Sequence, residues 1–424
     1  MRLLYICLLY LAGPFVLWRL WWRGRRQPEY RQRIGERLGC VALSPVPIAV
    51  WVHAVSVGES VAAFPLIEVL LARHGEGQVW VTTTTPTGSA RIVARFGTRV
   101  RHSYAPYDWP GAVARFVARV RPQCVVVMET ELWPNLFRHL ARRGVPLVIA
   151  NARLSPRSFR GYSHLRRSMA SVLNDCRTIA AQSEADAGRF RQLGARRVQA
   201  VGNLKFDLVV RQAQLVGGQV LRAACGSRPT WVAASTHEGE ETLVLEAHRQ
   251  VRERFPDALL ILVPRHPERF DAVAAQVARA EFVTVRRSAG EAVGTERTAA
   301  VLLGDTMGEM FTYLAAADVA FVGGSLVPVG GHNVLEPAAL GLPVLFGPHM
   351  HNFEAARALL LEREAACEVR DAEALAAAVQ ALFADPGERQ HQGEAGRAAV
   401  SDNRGTLERL LAIVDDCMKG ARSA

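Results

Sequence analysis

Short apolar runs recur along the chain, each closed by glycine, proline or a polar residue, and they alternate with stretches of helical period. In the first half the runs are 48–54, 79–84, 124–128, 147–151 and 178–181. In the second they are 230–234, 259–264, 283–285, 300–303, 319–322 and 344–346. Their apolar character is continuous rather than alternating, as in strands of a parallel sheet covered by helices on both faces. Strands that alternate with helices predict an α/β chain of βαβ units in doubly wound sheets. At 424 residues the chain exceeds what one core ordinarily serves. The stretch 206–229 has no strand pattern and ends in Gly226 and Pro229, which predicts a linker. The expected layout sets 1–26 apart, then gives a first domain over 27–205, the linker, and a second domain over 230–424.

Positions 3–18 carry no charge, and Arg2 and Arg19 bracket them. Trp18, Trp21 and Trp22 suit the boundary between acyl chains and headgroups, and Arg23, Arg25 and Arg26 follow at once. A signal peptide has the reverse order, with its charge ahead of the apolar stretch. The expectation is an uncleaved membrane-anchor helix with the bulk of the chain on the cytoplasmic side. Lys and Arg number 51 against 40 Asp and Glu, a net charge of +11. That excess suits nucleic acid, an anionic membrane surface or an acidic substrate. No zinc-ribbon, RRM or KH signature is present, so no nucleic-acid partner is expected. The seven cysteines are scattered and form no CxxC pair, which points to a reduced compartment and no structural zinc.

Polar residues concentrate where the runs end, and ligands of doubly wound sheets bind beyond the carboxyl ends of strands. The most telling stretch is 318–348. A strand gives way to Gly323, Gly324, Gly330 and Gly331, and Asn333 then opens a helix that carries Glu336. Free N–H groups and summed peptide dipoles at such a start favour phosphate, and a carboxylate one turn in can hold ribose hydroxyls. The same spacing also makes an Asn–Glu capping box that needs no ligand. In the same half, 234–241 is a strand end followed by an acid-rich helix start. Arg265 and His266 are fixed between Pro264 and Pro267, and Gly308 lies between Met307 and Glu309. Three polar strand ends in one domain suit a single nucleotide site.

In the first half, Glu59 sits where a helix begins after a strand, either as a first-turn residue facing the dipole or as a general base. Glu129 and Glu131 leave a buried strand and need partners, for which Arg153 or backbone donors are at hand. The loop from Asn151 through Arg153 to Arg160 is polar and basic. Lys205, near the join, faces an anion in a cleft or pairs with Asp207. There is no Walker A pattern, no GxGxxG after the first strand and no evident DxD pair, which removes kinase, ATPase and dehydrogenase readings.

The segments WVHAVSVGES, METELWPN, NARLS, QSEADAGRF, GNLKFD, ASTHEGEE, LVPRHPERF, GDTMGEM and FVGGSLVPVGGHNVLEP follow one another over 30–355. Together they resemble the Kdo transferase family, the 3-deoxy-D-manno-octulosonic acid transferases of lipopolysaccharide biosynthesis in Gram-negative bacteria. The resemblance implies a GT-B fold, in which two Rossmann-like domains face a cleft, with an N-terminal membrane-anchor helix. It implies transfer of Kdo from CMP-Kdo to lipid IVA, the tetraacylated lipid A precursor, at the cytoplasmic face of the inner membrane. Carried over by position, it makes Glu59 the general base, and Glu129 and Lys205 the stabilisers of the transition state. It assigns CMP binding to Arg265 and His266, to Met307, Gly308 and Glu309, and to Asn333, Val334, Leu335 and Glu336. No cofactor and no metal are expected, because a leaving nucleoside monophosphate carries less charge than a diphosphate. Two rival readings remain. One is a GT-B enzyme that uses a UDP-sugar with a lipid-linked acceptor, the other a non-catalytic anchored protein that binds anionic glycolipid through its basic face.

Overall fold

A computed structural model describes residues 2–208, 210–290 and 299–422. The chain forms two compact units: the first runs to Asp207 and takes back the chain from Arg404, and the second is Leu208–Asn403. In the first unit the strands are β1 (Ile48–His53), β2 (Val79–Thr83), β3 (Arg101–Tyr104), β4 (Pro122–Met128), β5 (Leu147–Ala152), β6 (Thr178–Ala181) and β7 (Val198–Ala200). They form one sheet in the order β3-β2-β1-β4-β5-β6-β7, and every pair is parallel. Successive residues of β4 serve opposite faces. Cys124, Val126 and Met128 pack with Val50, Val52 and Leu66, whereas Val125 and Val127 pack with Trp51, Phe116 and Phe137. Burial on both faces explains why these strands read as unbroken apolar runs.

The second unit repeats the plan. Its strands are β8 (Thr230–Thr236), β9 (Leu259–Pro264), β10 (Thr284–Arg286), β11 (Val301–Leu303), β12 (Val319–Val322), β13 (Val344–Phe346) and β14 (Ala366–Glu368). The order is β10-β11-β9-β8-β12-β13-β14, again all parallel. Each run picked out in the sequence is a strand here. The three strands that it did not reveal, β3, β7 and β14, all lie at sheet edges. An edge strand pairs on one side only and needs less apolar cover, and Arg101, His102, Val198 and Gln199 are only partly buried or exposed.

Two boundaries differ from the expected layout. Most of the expected linker is a helix, Gln212–Cys225, whose Leu221 and Cys225 enter the core of the second unit. A Cβ on its Gly218 would come within 2.4 Å of the Ala315 side chain, so glycine allows the two helices to touch. The chain from Arg404 onward does not stay with the second unit. The helix Thr406–Arg422 places Leu410, Leu411, Val414, Cys417 and Met418 on the first sheet, in the cluster that holds Val126 and Val148. Asp207 fixes its start by accepting from the Gly405 and Leu407 amides at 2.7 and 2.5 Å. An apolar stripe in sequence does not say which sheet it will cover.

The N-terminal helix Arg2–Arg23 has 22 residues, about 33 Å at 1.5 Å per residue. By length and composition it is able to cross a membrane. One side rests on the first unit. Tyr5 Oη donates to Asp108 Oδ2 at 3.0 Å, and Trp109 Nε1 donates to the Leu9 carbonyl at 3.2 Å. Leu4, Leu8, Leu11, Phe15, Trp18 and Trp22 are exposed.

Candidate active site

In the first sheet, chain order reverses between β1 and β4, so a crevice opens at their carboxyl ends. Glu59 follows β1, in the first turn of the helix Val57–Ala62. Its N–H donates to Ser56 Oγ at 3.2 Å, and its Oε2 accepts from the Val55 N–H at 2.8 Å. Glu59 is therefore a first-turn residue, as one reading of the sequence had it, and its carboxylate also secures the chain ahead of the helix. Glu59 is only 6% exposed. Burial pushes its carboxyl up to about 7 despite hydrogen bonds with Val55 and Ser56, and the nearby Glu131 and Glu129 charges add to the rise. A carboxyl poised there exchanges protons near neutral pH.

Glu129 follows β4 with φ of 55°, a left-handed conformation that costs a side chain about 1–2 kcal/mol. The strand holds it there, because its N–H donates to the Ala150 carbonyl at 2.8 Å. Burial raises its pKa, the Lys205 and Arg153 charges pull it down, and Glu131 opposes them. Lys205 shows the converse. Burial lowers its pKa, Glu129 supports the charge and Arg153 opposes it. Asp207, which the sequence offered as a partner for Lys205, is engaged by the Gly405 and Leu407 amides, and the carboxylate whose charge acts on the lysine is Glu129.

A polar lattice places that lysine. Asn203 Oδ1 caps the short turn Leu204–Phe206 by accepting from Lys205 N at 3.0 Å. Asn151 Oδ1 accepts from Leu204 N at 3.0 Å. Gln182 accepts from Asn203 Nδ2 at 3.1 Å and donates to the Asn151 carbonyl at 2.9 Å. Gln182 opens the segment QSEADAGRF but was given no role from the sequence, and Asp108 was not singled out. The latter accepts from Asn135 N and Leu136 N at 3.0 and 2.7 Å and so fixes the helix that follows the Glu129 loop. Glu131 accepts from Trp133 Nε1 at 2.8 Å. His53 is a core residue: its Nδ1 lies 2.8 Å from Thr82 Oγ1, and burial lowers its pKa to about 3.

In the second sheet the order reverses between β8 and β12. Glu240, fully buried beyond β8, accepts from His237 N at 3.0 Å, Gly324 N at 2.6 Å, Ser325 N at 2.9 Å and Leu326 N at 2.8 Å. The sequence placed the anion-favouring N–H groups at the helix start near Asn333 and assigned no ligand to those of the glycine turn after β12. The N–H groups of Gly324, Ser325 and Leu326 are taken by this internal carboxylate. A Cβ at Gly323 would lie 2.7 Å from the Ser235 carbonyl oxygen and 2.9 Å from Glu240 Oε2, which makes the glycine a packing requirement.

The helix expected to open at Asn333 runs from Leu335 to Leu340. Asn333 Oδ1 accepts from Leu335 N at 3.2 Å, and its Nδ2 donates to Glu336 Oε1 at 3.1 Å. The Val334 and Leu335 side chains are fully buried, so only their main chain can meet a ligand. Burial raises the Glu336 pKa, while Asn333 and the Arg265 charge lower it. Arg265 follows β9, its N–H donating to the Thr236 carbonyl at 3.0 Å. Arg269 grips Glu241 at 2.6 and 3.1 Å, which secures the turn that carries Arg265 and His266. The Arg265 charge thus acts on Glu336, and the His266 ring lies 5.2 Å from that of His237. Met307, Gly308 and Glu309 stand at the end of β11, one strand beyond β9. Met307 is 62% exposed, Gly308 has φ of 82°, and Glu309 pairs with Arg287 at 2.9 Å. Sequence reasoning left His332 unassigned, although it lies between Gly331 and Asn333. Its Nε2 is 2.8 Å from His237 Nε2. Among the described residues no group of three or more His, Cys, Asp or Glu side chains is placed to hold a metal ion.

The family profile described as 3-Deoxy-D-manno-octulosonic-acid transferase (kdotransferase) matches residues 32–208. A 3-deoxy-D-manno-octulosonic acid transferase of Haemophilus influenzae is 42% identical over 97% of this chain and 98% of its own. The chain belongs to the Kdo transferase family. The transferase of the same name from Bordetella pertussis is 41% identical over 96% of each chain. Relationship over nearly the whole length makes this Kdo transferase family member a glycosyltransferase enzyme, which removes the non-catalytic reading. A Rickettsia africae glycosyltransferase structure covers 88% of the chain and all of its own, with a TM-score of 0.55 and 13% identity. At that identity the likeness speaks for fold, and the enzyme has the two-sheet GT-B architecture.

Proposed function

We propose that the enzyme transfers Kdo from CMP-Kdo onto lipid IVA in lipopolysaccharide core biosynthesis, with inversion, adding one or more units. The observation that carries this reading is Glu59, a buried carboxyl at the β1–β4 crevice whose pKa stands near 7. The near full-length relatives named for Kdo transfer support the sugar assignment.

In this reading the acceptor hydroxyl attacks the anomeric carbon of Kdo while the bond to the CMP phosphate breaks. The electron pair leaves with CMP, and the hydroxyl proton passes to Glu59. Because Oε2 is held by the Val55 N–H, Oε1 is the atom for proton work. A single displacement inverts the anomeric centre. The transition state resembles an oxocarbenium ion, beside which an ionised Glu129 is stabilising, and the Lys205 charge favours that ionised form against the effect of burial. Arg265 and His266, Met307, Gly308 and Glu309, and Asn333, Val334, Leu335 and Glu336 bind CMP, Val334 and Leu335 through their main chain.

The helix Arg2–Arg23 anchors the enzyme at the cytoplasmic face of the inner membrane, with Trp18, Trp21 and Trp22 at the headgroup level and Arg23, Arg25 and Arg26 on its anionic surface. The test is the mass of lipid IVA after incubation with purified enzyme and CMP-Kdo. A gain of one or more Kdo units supports the proposal and counts the transfers. No gain, together with inhibition by UDP rather than CMP, would turn the reading to a UDP-sugar donor.

A further inference from the structure

His237 and His332 follow the two strands that flank the crevice of the second unit, His237 just beyond β8 and His332 in the loop beyond β12. Their Nε2 atoms are 2.8 Å apart, and their ring planes are within 9° of parallel with centroids 5.0 Å apart, so the rings meet end to end. The His266 ring stands edge-on to His237 at 5.2 Å. Two Nε2 atoms at that separation share a hydrogen, so one ring donates and the other accepts. In the neutral pair one Nδ1 carries a hydrogen and the other a lone pair. One added proton, at the free Nδ1, turns a ring into an imidazolium and keeps the Nε2–H···Nε2 bond, now charge-assisted. The pair then presents two Nδ1–H donors and one positive charge.

We propose that His237 and His332 form a proton-loaded clasp for the nucleotide phosphate, taking one proton from solvent when the nucleotide binds and returning it when the nucleotide leaves. The inference rests on the donor reading under Proposed function and adds two binding residues to it. The surroundings leave such a role open. The amides of Gly324, Ser325 and Leu326, which would otherwise meet an anion at this crevice, are occupied by Glu240. With these three amides taken, side chains near this turn are needed as donors beside the main chain of Val334 and Leu335.

The charged and titratable groups around the pair are Glu240 and Glu241 beyond β8, and Arg265 and His266 beyond β9. Glu240 is bound by four amides, and Glu241 by Arg269 and Thr236. Without a ligand the pair is held neutral. Burial, then Arg265, His237 and His266, lower the His332 pKa to about 3. Burial, His266 and Arg265 lower that of His237, while Glu240 and Glu241 oppose them. A phosphate dianion reverses the sign of the field at both rings and makes the added proton favourable. Loading is therefore tied to occupancy.

The test is calorimetry of CMP binding to the full-length enzyme at pH 7 and above, in buffers of different ionisation enthalpy. Wild type should take up about one proton per CMP. Its affinity should weaken by about tenfold per pH unit above pH 7, where the phosphate is already a dianion. Cytidine, which lacks the phosphate, should give no uptake. His332→Gln and His237→Gln lie on different elements and keep a hydrogen-bonding side chain. Each should still bind CMP, more weakly, with the proton uptake and the pH slope lost, and thermal unfolding confirms that each is folded. Binding without proton uptake by wild type, uptake that persists in both variants, or uptake with cytidine would overturn the clasp and leave the donor reading intact. Absence of CMP binding to wild type would overturn both.

Discussion

The two units are built on nearly the same sheet and put opposite chemistry at the same place. In each, a parallel seven-stranded sheet reverses its strand order, between β1 and β4 in one and between β8 and β12 in the other. At the first reversal stand Glu59 and Glu129, with Glu131 and Lys205 nearby. Burial pushes both Glu59 and Glu129 up, and Glu59 reaches about 7. At the second stand His237 and His332, pushed down, beside Arg265. One crevice is suited to hold and release a proton, the other to meet an anion. The fold supplies the crevice, and a few buried side chains decide its work.

Substitutions that separate the two kinds of work test this contrast. The largest effect is expected at the first crevice. Glu59→Gln should lower turnover by about a thousandfold, the middle of the range for a positioned general base, and leave the CMP dissociation constant within about twofold. Arg265→Ala should do the reverse, weakening CMP by about ten- to a hundredfold, as the loss of charge-assisted hydrogen bonds of about 1.5–3 kcal/mol implies. Titration calorimetry beside initial rates reads both. If Glu59→Gln weakened CMP as strongly as Arg265→Ala, the division would fail.

Smaller effects sharpen the picture through stability. The folded-state pKa of Glu59 is raised from 4.5 to about 7. The stability tied to this group is thus fully present below pH 4.5 and lost as pH rises through 7. Glu59→Gln should therefore melt higher than wild type at pH 8 and show no such advantage at pH 4.5. Glu129→Gly should relieve the left-handed backbone and gain about 1 kcal/mol in denaturant unfolding, while activity falls. A gain in both would remove Glu129 from the transition state. The smallest effect is expected from EDTA, which should leave the rate unchanged. Loss of rate that a divalent cation restores would show that the leaving phosphate needs more than protein cations.

Much of the scaffold was legible because central strands are buried on both faces and so read as apolar runs. Edge strands β3, β7 and β14 escaped for the complementary reason. The docking of Leu410 and Val414 on the first sheet was hidden, since their stripe fits any apolar face. Among the site residues, Glu59 was visible, yet sequence offered first-turn residue and base as alternatives, and the structure makes it a buried first-turn residue with a raised pKa. Glu240 shows the limit. Three of its four amide partners lie 84 to 86 positions away, and no local pattern announces that a glycine turn has been filled from within. The pairing of His237 with His332 spans 95 positions and was equally invisible.

The measurement closest to the central claim is the pH dependence of kcat/KM for the acceptor, with CMP-Kdo saturating at every pH, in Kdo transfer by the wild-type enzyme. The buried Glu59 predicts a unit-slope acid limb that levels off above pH 7. A limb near 4.5, the value of an unperturbed glutamate, would contradict the account.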